Sequence, residues 1–260
     1  MSDSDRTSEG RVLLEIQDGV ATITLDSPKR RNAMSIAMAH EVVSHCDQID
    51  QDPSVGAVVV TGGGGHFCSG AERGSLAAAS RDPADPAMYR DLGLTYQSFM
   101  RVGTLAVPTV AAVCGATVGA GVNLMMATDL RIVAKDARIL SGFGLISLHP
   151  GGGHFTLLSR AGGSETSAAL GLFGEEVDGD DAVACGLAWR SLSADEVLAY
   201  AVGVAGRVAA DPELARAAVA SFRTQMGPPA QSWPIALAAE RAPQMWSLRR
   251  RNVRERGEEK

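Results

Sequence analysis

Apolar and polar positions alternate along Val12–Ile16 and again along Val20–Leu25, on either side of Gln17-Asp18-Gly19. Successive strand side chains point to opposite faces, and an Asp-Gly pair between two such runs suits a tight turn, so the pattern predicts a β-hairpin. The spacing then lengthens, and Ser35–Gln51 reads as an amphipathic helix. Ala57–Thr61 and Thr109–Val113 are short, β-branched and bounded by Gly or Pro, which predicts buried strands. Each leads into a glycine-rich turn and then a helical pattern, and Leu130–Ala134 continues the series. Repetition of strand, turn and helix predicts a layered α/β core.

Arg73–Ala87 holds RDPADP and a run of alanines without a clean period. It reads as a mobile loop ahead of a helix at Met88–Arg101, and its position makes it a candidate lid. From Ser193 the chain changes character. Alanine-rich helical stretches at Ser193–Ala210 and Pro212–Met226 are followed by a Gly-Pro-Pro break and a further helix from about Trp233, which predicts a small helical C-terminal domain. The expected division is a disordered tail over 1–10, an α/β core over 11–192 and a helical domain over 193–260.

At 260 residues with 45% hydrophobic content, the chain can bury one large core or one core plus a small appended domain. Met1–Gly10 is polar and lacks an apolar core, so it reads as neither a signal peptide nor a transit peptide, and the expected location is cytoplasmic. Cys46, Cys68, Cys114 and Cys185 are widely separated, the spacing of reduced, buried thiols. With 30 acidic against 24 basic side chains the net charge is −6, which argues against a nucleic-acid surface. The arginine-rich Ser247–Arg256 is a local exception: it could meet ligand phosphates or an acidic patch on a neighbouring subunit, or form a solvated helix face.

Some apparent motifs fail on spacing. HEVVSH at His40–His45 separates its histidines by five positions, which turns them apart on a helix and sets a zinc site aside. GAGVNL at Gly119–Leu124 lacks the third glycine of a dinucleotide fingerprint, and the Gly62–Gly65 run lacks the Lys-Ser/Thr ending of a P-loop. No metal or separate cofactor is expected.

The segment richest in chemistry is Gly115–Asn123, GATVGAGVN, which brings Gly119, Ala120 and Gly121 to the start of an apolar helix and ends in an amide. A helix start lined with small residues leaves backbone N–H groups facing open space, where they stabilise an oxyanion. With GHFCSGAERGSL at Gly65–Leu76 it looks like part of a thioester-handling site. SPKRRNAMS (27–35), VGAVVVTG (55–62), VPTVAAVCG (107–115), TDLRIVAKDARI (128–139) and HPGGG (149–153) accompany the pair in order. The chain resembles the crotonase superfamily of enoyl-CoA hydratases and isomerases.

That resemblance implies a spiral of ββα units, an acyl-CoA ligand, coenzyme A only as part of that substrate, no membrane partner, and a homotrimer or dimer of trimers. It implies that the backbone N–H groups of Ala71 and Ala120 form an oxyanion hole, with Ser69, Gly70 and Gly119 beside them and Lys29, Arg30 or Arg31 toward the phosphates. Ala120 stands where the family has glycine, so the donor survives while a methyl group narrows the approach. The family's two glutamates fall at Asn123 and Phe143. Asparagine orients a water but exchanges no proton with it, and phenylalanine does neither. Candidate substitutes are Glu72, His149 and, more remotely, His66, while Asp129 is expected to cap or pair locally. Three readings remain open on the sequence: an enoyl-CoA hydratase/isomerase-like enzyme, a weakly catalytic acyl-CoA binder, and a scaffold whose pocket has closed.

Overall fold

In the computed structural model, which describes residues 10–226 and 233–258, the hairpin forms as expected from β1 (Arg11–Gln17) and β2 (Val20–Asp26). Asp18 and Gly19 both take positive φ, the backbone of a two-residue hairpin turn. The hairpin opens a six-stranded sheet in the order β1-β2-β3-β4-β6-β9, in which β3 is Ala57–Gly62, β4 Thr109–Val113, β6 Leu130–Ala134 and β9 Arg190–Leu192. Every pairing beyond the hairpin is parallel. A second sheet joins β5 (Ala116–Val118), β7 (Arg138–Leu140) and β8 (Glu176–Val177), with β5 and β7 parallel and Val118 opposite Leu140. The expected α/β architecture is therefore present.

Helix α1 (Ile36–Gln51) starts where Ser35 Oγ accepts the Met38 N–H, and buries Met38, Ala39, Val42, Cys46 and Ile49 on one face. The loop expected over Arg73–Ala87 is instead helix α2 (Arg73–Arg81), a short break, and the start of α3 (Pro86–Gly103). The alanine-rich run has helix propensity without periodicity, because α2 buries only Ala79 and Ser80. Asp85 then accepts the Ala87 N–H, with Pro86 in the first turn, so RDPADP is a helix start where it was read as an open loop. After α4 (Ala120–Ala127), α5 (His154–Gly171) and α6 (Gly179–Ala184) come the C-terminal helices α7 (Ala194–Ala209), α8 (Pro212–Met226) and α9 (Trp233–Glu258).

Helix α7 lays Val197, Ala201, Ala205 and Ala209 on β3, β4 and β6, so the main apolar core runs on past residue 193. Asp129 accepts from both Thr109 N and Thr109 Oγ1 and also pairs with Arg223 at 2.7 Å, which fastens α8 to the sheet. The expected tail lies outside the described residues except for Gly10, as does the Gly-Pro-Pro break. All four cysteines are free. Burial pushes the Cys46 thiol up to about 12 and the Cys68 thiol up to about 11. No helix among the described residues is long and apolar enough to cross a membrane.

Candidate active site

Two backbone segments meet at the start of α4. Cys68 N donates to Ala116 O at 3.1 Å and Val118 N to Cys68 O at 2.9 Å, which ties the segment before Ala71 to β5. Gly70 sits at φ +102°, where a side chain is strained, and an added Cβ there would lie 3.0 Å from Val118 O. A Cβ on Gly121 would lie 2.1 Å from Cys68 O. Only glycine lets the two backbones approach so closely.

This approach leaves two N–H groups over. Met34 N donates to Gly70 O at 2.8 Å and Glu72 N to Met34 O at 3.0 Å, a parallel bridge that brackets Ala71. The bracketed residue turns its own N–H to the opposite side. Ala120 is the first residue of α4, so its N–H has no acceptor within the helix. Among the described residues neither N–H has a hydrogen-bond partner.

Ala71 and Ala120 line one cavity of about 90 Å³, together with Tyr96, Asn123, Ser141 and Phe143. No Asp, Glu, His, Lys or Arg is among the described residues that line it. A neighbouring cavity of about 320 Å³ shares Ala71, Leu76, Leu92, Thr95, Leu148 and Gln244 with it and carries Glu72 and Asp91. Burial raises the Tyr96 hydroxyl well above its ordinary value, so it stays un-ionised, and it has no hydrogen-bond partner among the described residues.

Behind the cavity wall runs a buried polar chain. Asn123 Nδ2 donates to Gly151 O at 2.9 Å, and Asn123 Oδ1 lies 2.7 Å from His154 Nδ1. The carbonyl of Gly151 requires the NH₂ arm of the amide, which leaves Oδ1 as an acceptor for His154 Nδ1–H. His154 Nε2 then carries no proton and accepts from Ser141 Oγ–H at 2.6 Å. His154 is fully buried, and that burial drops its pKa from 6.5 to about 3, so the imidazole is neutral throughout the physiological range. Phe143 stands edge-on to the ring at 5.0 Å between centroids. From α9, Glu240 accepts the Gly153 N–H at 2.6 Å, and Trp233 Nε1 donates to Gly152 O at 3.2 Å. These contacts fix the turn from which His154 projects.

Asn123 and Phe143 both lie on the wall of the cavity. The proposed substitutes do not join them. Glu72 is engaged by an ion pair with Arg30. His149 Nδ1 lies 2.6 Å from its neighbour Pro150 O, and the residue is absent from the cavity wall. His66 Nδ1 accepts the Ala116 N–H at 3.1 Å and holds a strand end. Lys29, Arg30 and Arg31 are exposed beside the site, and their loop is held by Ser69, whose N donates to Arg31 O and whose Oγ donates to Arg30 O, both at 3.0 Å. In HEVVSH, Glu41 accepts the Val12 N–H and His45 Nε2 bonds Val12 O, so the segment anchors β1. Ser141, His154 and Tyr96 escaped the sequence reading. A histidine directly after HPGGG, at the start of a helix, was the available signal for His154, while no motif marks Ser141.

The family pattern described as Enoyl-CoA hydratase/isomerase matches residues 15–241. A Mycobacterium tuberculosis protein named Probable enoyl-CoA hydratase EchA14 is 41% identical over 217 residues, covering 84% of this chain and 83% of its own. The 1,2-epoxyphenylacetyl-CoA isomerase of Escherichia coli is 31% identical over 193 residues, covering 72% of this chain and 71% of its own. A crystal structure of an enoyl-CoA hydratase/isomerase from Xanthobacter autotrophicus superposes with a TM-score of 0.78 at 29% identity, over 90% of this chain and 87% of that one.

Proposed function

The chain belongs to the enoyl-CoA hydratase/isomerase family and is an acyl-CoA-processing protein of crotonase fold, and on that premise we propose that it stabilises a thioester enolate on the N–H groups of Ala71 and Ala120. The observation that carries this reading is the pair of unpartnered N–H groups on one cavity wall. Negative charge that develops on a thioester oxygen gains about 3 kcal/mol from each fixed donor in a site closed to water. The neutral Tyr96 hydroxyl offers a hydrogen bond to a polar substituent on the acyl group. Lys29, Arg30 and Arg31, next to Ser69, suit the phosphates of coenzyme A.

Ordinary two-glutamate hydration does not suit this wall. Asn123 and Phe143 occupy the positions at which the resemblance implies the glutamates, and no carboxylate lines the inner cavity. Such a general acid or base contributes about 10²–10⁴ in rate, so hydration is expected to be slow and enolisation or isomerisation to be the better-supported reaction. The uncharged wall also supports a second reading, an acyl-CoA binder with little turnover. Exposed Leu172, Phe173 and Trp189 suit coverage by a further copy of the chain, as in the trimer or pair of trimers that the resemblance implies.

Saturated and 2-enoyl-CoA thioesters incubated with the protein in deuterated water test the reading, with α-proton exchange followed by mass spectrometry and binding by calorimetry. Exchange above background supports enolate stabilisation. Binding without exchange leaves the acyl-CoA binder, and absence of binding overturns both.

A further inference from the structure

The chain Ser141–His154–Asn123 has no part in holding an enolate, and its geometry is that of an activated nucleophile. Ser141 is among the residues that line the cavity, its hydroxyl proton points at an unprotonated imidazole nitrogen 2.6 Å away, and the opposite nitrogen of the ring is held at 2.7 Å by a third side chain. Nucleophile, base and orienting group in sequence, each within hydrogen-bond reach of the next, is the arrangement by which a neutral hydroxyl attacks a carbonyl. In the free protein His154 is buried behind the wall, with the Ser141 hydroxyl between its Nε2 and the cavity.

The hydroxyl also stands beside the anion donors. Strands β5 and β7 are paired in parallel with Val118 opposite Leu140, and Gly119 N donates to Leu140 O at 3.2 Å. Ala120 and Ser141 thus leave the same ends of two adjacent strands, whose spacing is about 4.8 Å. A carbonyl oxygen on the Ala71 and Ala120 N–H groups would turn its carbon toward the strand end from which Ser141 follows β7. An aspartate in place of Asn123 has no proton to give Gly151 O, and this explains the amide as the third member.

We propose that Ser141 is an acyl-accepting nucleophile, with His154 as its base and Asn123 as the positioning residue, and that the cavity cleaves acyl-CoA thioesters through an acyl-serine ester. This rests on the thioester placement argued in the preceding subsection. An electron pair of Ser141 Oγ forms a bond to the thioester carbon while its proton passes to His154 Nε2. The C–S bond then breaks and the electron pair leaves on sulfur. The acylated Oγ has lost the proton that tied it to Nε2 and turns away into the cavity. Sulfur takes the proton from the Nε2 so opened, which yields acyl-Ser141 and free coenzyme A. Water repeats the cycle on the ester: it gives a proton to Nε2 and oxygen to the acyl carbon, and Ser141 leaves with the returned proton. The net reaction is hydrolysis of an acyl-CoA to an acid and coenzyme A.

Burial keeps the imidazole in its accepting form but makes it a weak base, so proton transfer is tied to the charge that forms on the thioester oxygen. An oxygen ester is less reactive than a thioester, so the second half is the slower and the acyl-enzyme accumulates.

Acetyl-CoA and octanoyl-CoA, which carry no double bond to hydrate, serve as probes for the full-length protein. Intact-mass analysis should show one added acyl group, peptide mapping should place it on Ser141, and chromatography should show release of coenzyme A. S141A should abolish the adduct and H154Q should slow release about 100-fold or more, while calorimetry shows that both still bind octanoyl-CoA. Should S141A not fold, S141C serves in its place, with the acyl group then held as a thioester at residue 141. Release unchanged in these variants, or an adduct on a cysteine other than one introduced at 141, overturns the proposal. Binding and α-proton exchange without release overturn it and leave the enolate reading standing, whereas loss of all binding in the parent protein overturns the thioester placement itself.

Discussion

Asn123 Oδ1 lies 2.7 Å from His154 Nδ1, and the same amide is pinned from its other arm by Gly151 O. The imidazole is thereby locked as its Nδ1–H tautomer, and burial keeps it proton-free down to about pH 3. An unfolded histidine titrates near pH 6.5. The folded pKa is depressed, so above about pH 6.5 neither state binds the proton, and below it the unfolded chain takes a proton that the native state refuses. Stability should fall as pH drops from about 6.5 toward 3, by roughly 1.4 kcal/mol per pH unit from this group. Urea midpoints measured from pH 8 to pH 4 should show a steeper decline for the parent than for H154Q, and parallel curves would count against the assignment.

Phe143 is nearly buried against His154, Ala79, Leu148 and Leu248 and lines the inner cavity. Phe143→Ala should destabilise the protein by about 3 kcal/mol, since a ring is lost from a packed cluster. It should also widen the cavity. Relative affinity should then shift toward bulkier acyl groups, read by calorimetry across an acyl-CoA series, and an unchanged ranking would mean that Phe143 does not bound the acyl site.

Much of this arrangement was legible before the coordinates, for identifiable reasons. Strands β3 and β4 announce themselves because burial on both faces demands short β-branched runs, and the Ser35 start of α1 lies where the apolar spacing changes. Ala71 and Ala120 stand on one cavity wall because small residues let two backbone segments meet there, a pattern that the glycine-rich stretches carry in sequence. Helix α2 was missed because its alanines bury almost nothing, so no period betrays it. Ser141 and His154 were missed because their relation to Asn123 exists only across the β5–β7 register and the turn held by Glu240 and Trp233, contacts that span up to about 90 residues of chain. The adjacency of Glu72 to Ala71 in sequence says nothing of its ion pair with Arg30, which the fold brings from 42 residues away.

Glu72 supplies a direct check on that pairing. Its carboxylate pairs with Arg30 on a partly exposed surface, where such pairs contribute about 0–1 kcal/mol. Glu72→Gln should therefore leave stability and α-proton exchange within a factor of about 5 of the parent. A loss of 100-fold in exchange would return Glu72 to the chemistry.

Gly121 tests the placement of the two N–H donors without touching either. A methyl group there cannot coexist with Cys68 O, so Gly121→Ala must push α4 away from the segment that carries Ala71. Overpacking of this kind costs about 1–3 kcal/mol in stability. The larger effect should be on function, because displacing Ala120 by about 1 Å misaligns it from a shared oxygen and is expected to lower exchange about 100-fold. A variant that exchanges α-protons at the parent rate would show that the two segments need not meet closely.

Asp129 ties the C-terminal helices to the sheet rather than to the chemistry. Its carboxylate takes two hydrogen bonds from Thr109 and pairs with Arg223 of α8, whose guanidinium also donates to the carbonyls of Leu105 and Val107. Asp129→Ala removes the anion from a half-buried guanidinium and leaves the Thr109 groups unpaired, so the expected cost is about 2–4 kcal/mol. Asp129→Asn can still accept from Thr109 but brings no charge to Arg223, and should lose less. Because neither residue lines the inner cavity, the fraction that remains folded should exchange α-protons at the parent rate. Denaturation curves paired with rates per folded molecule separate the two effects, and a fall in the rate of the folded fraction would mean that α8 acts on the site as well as on the fold.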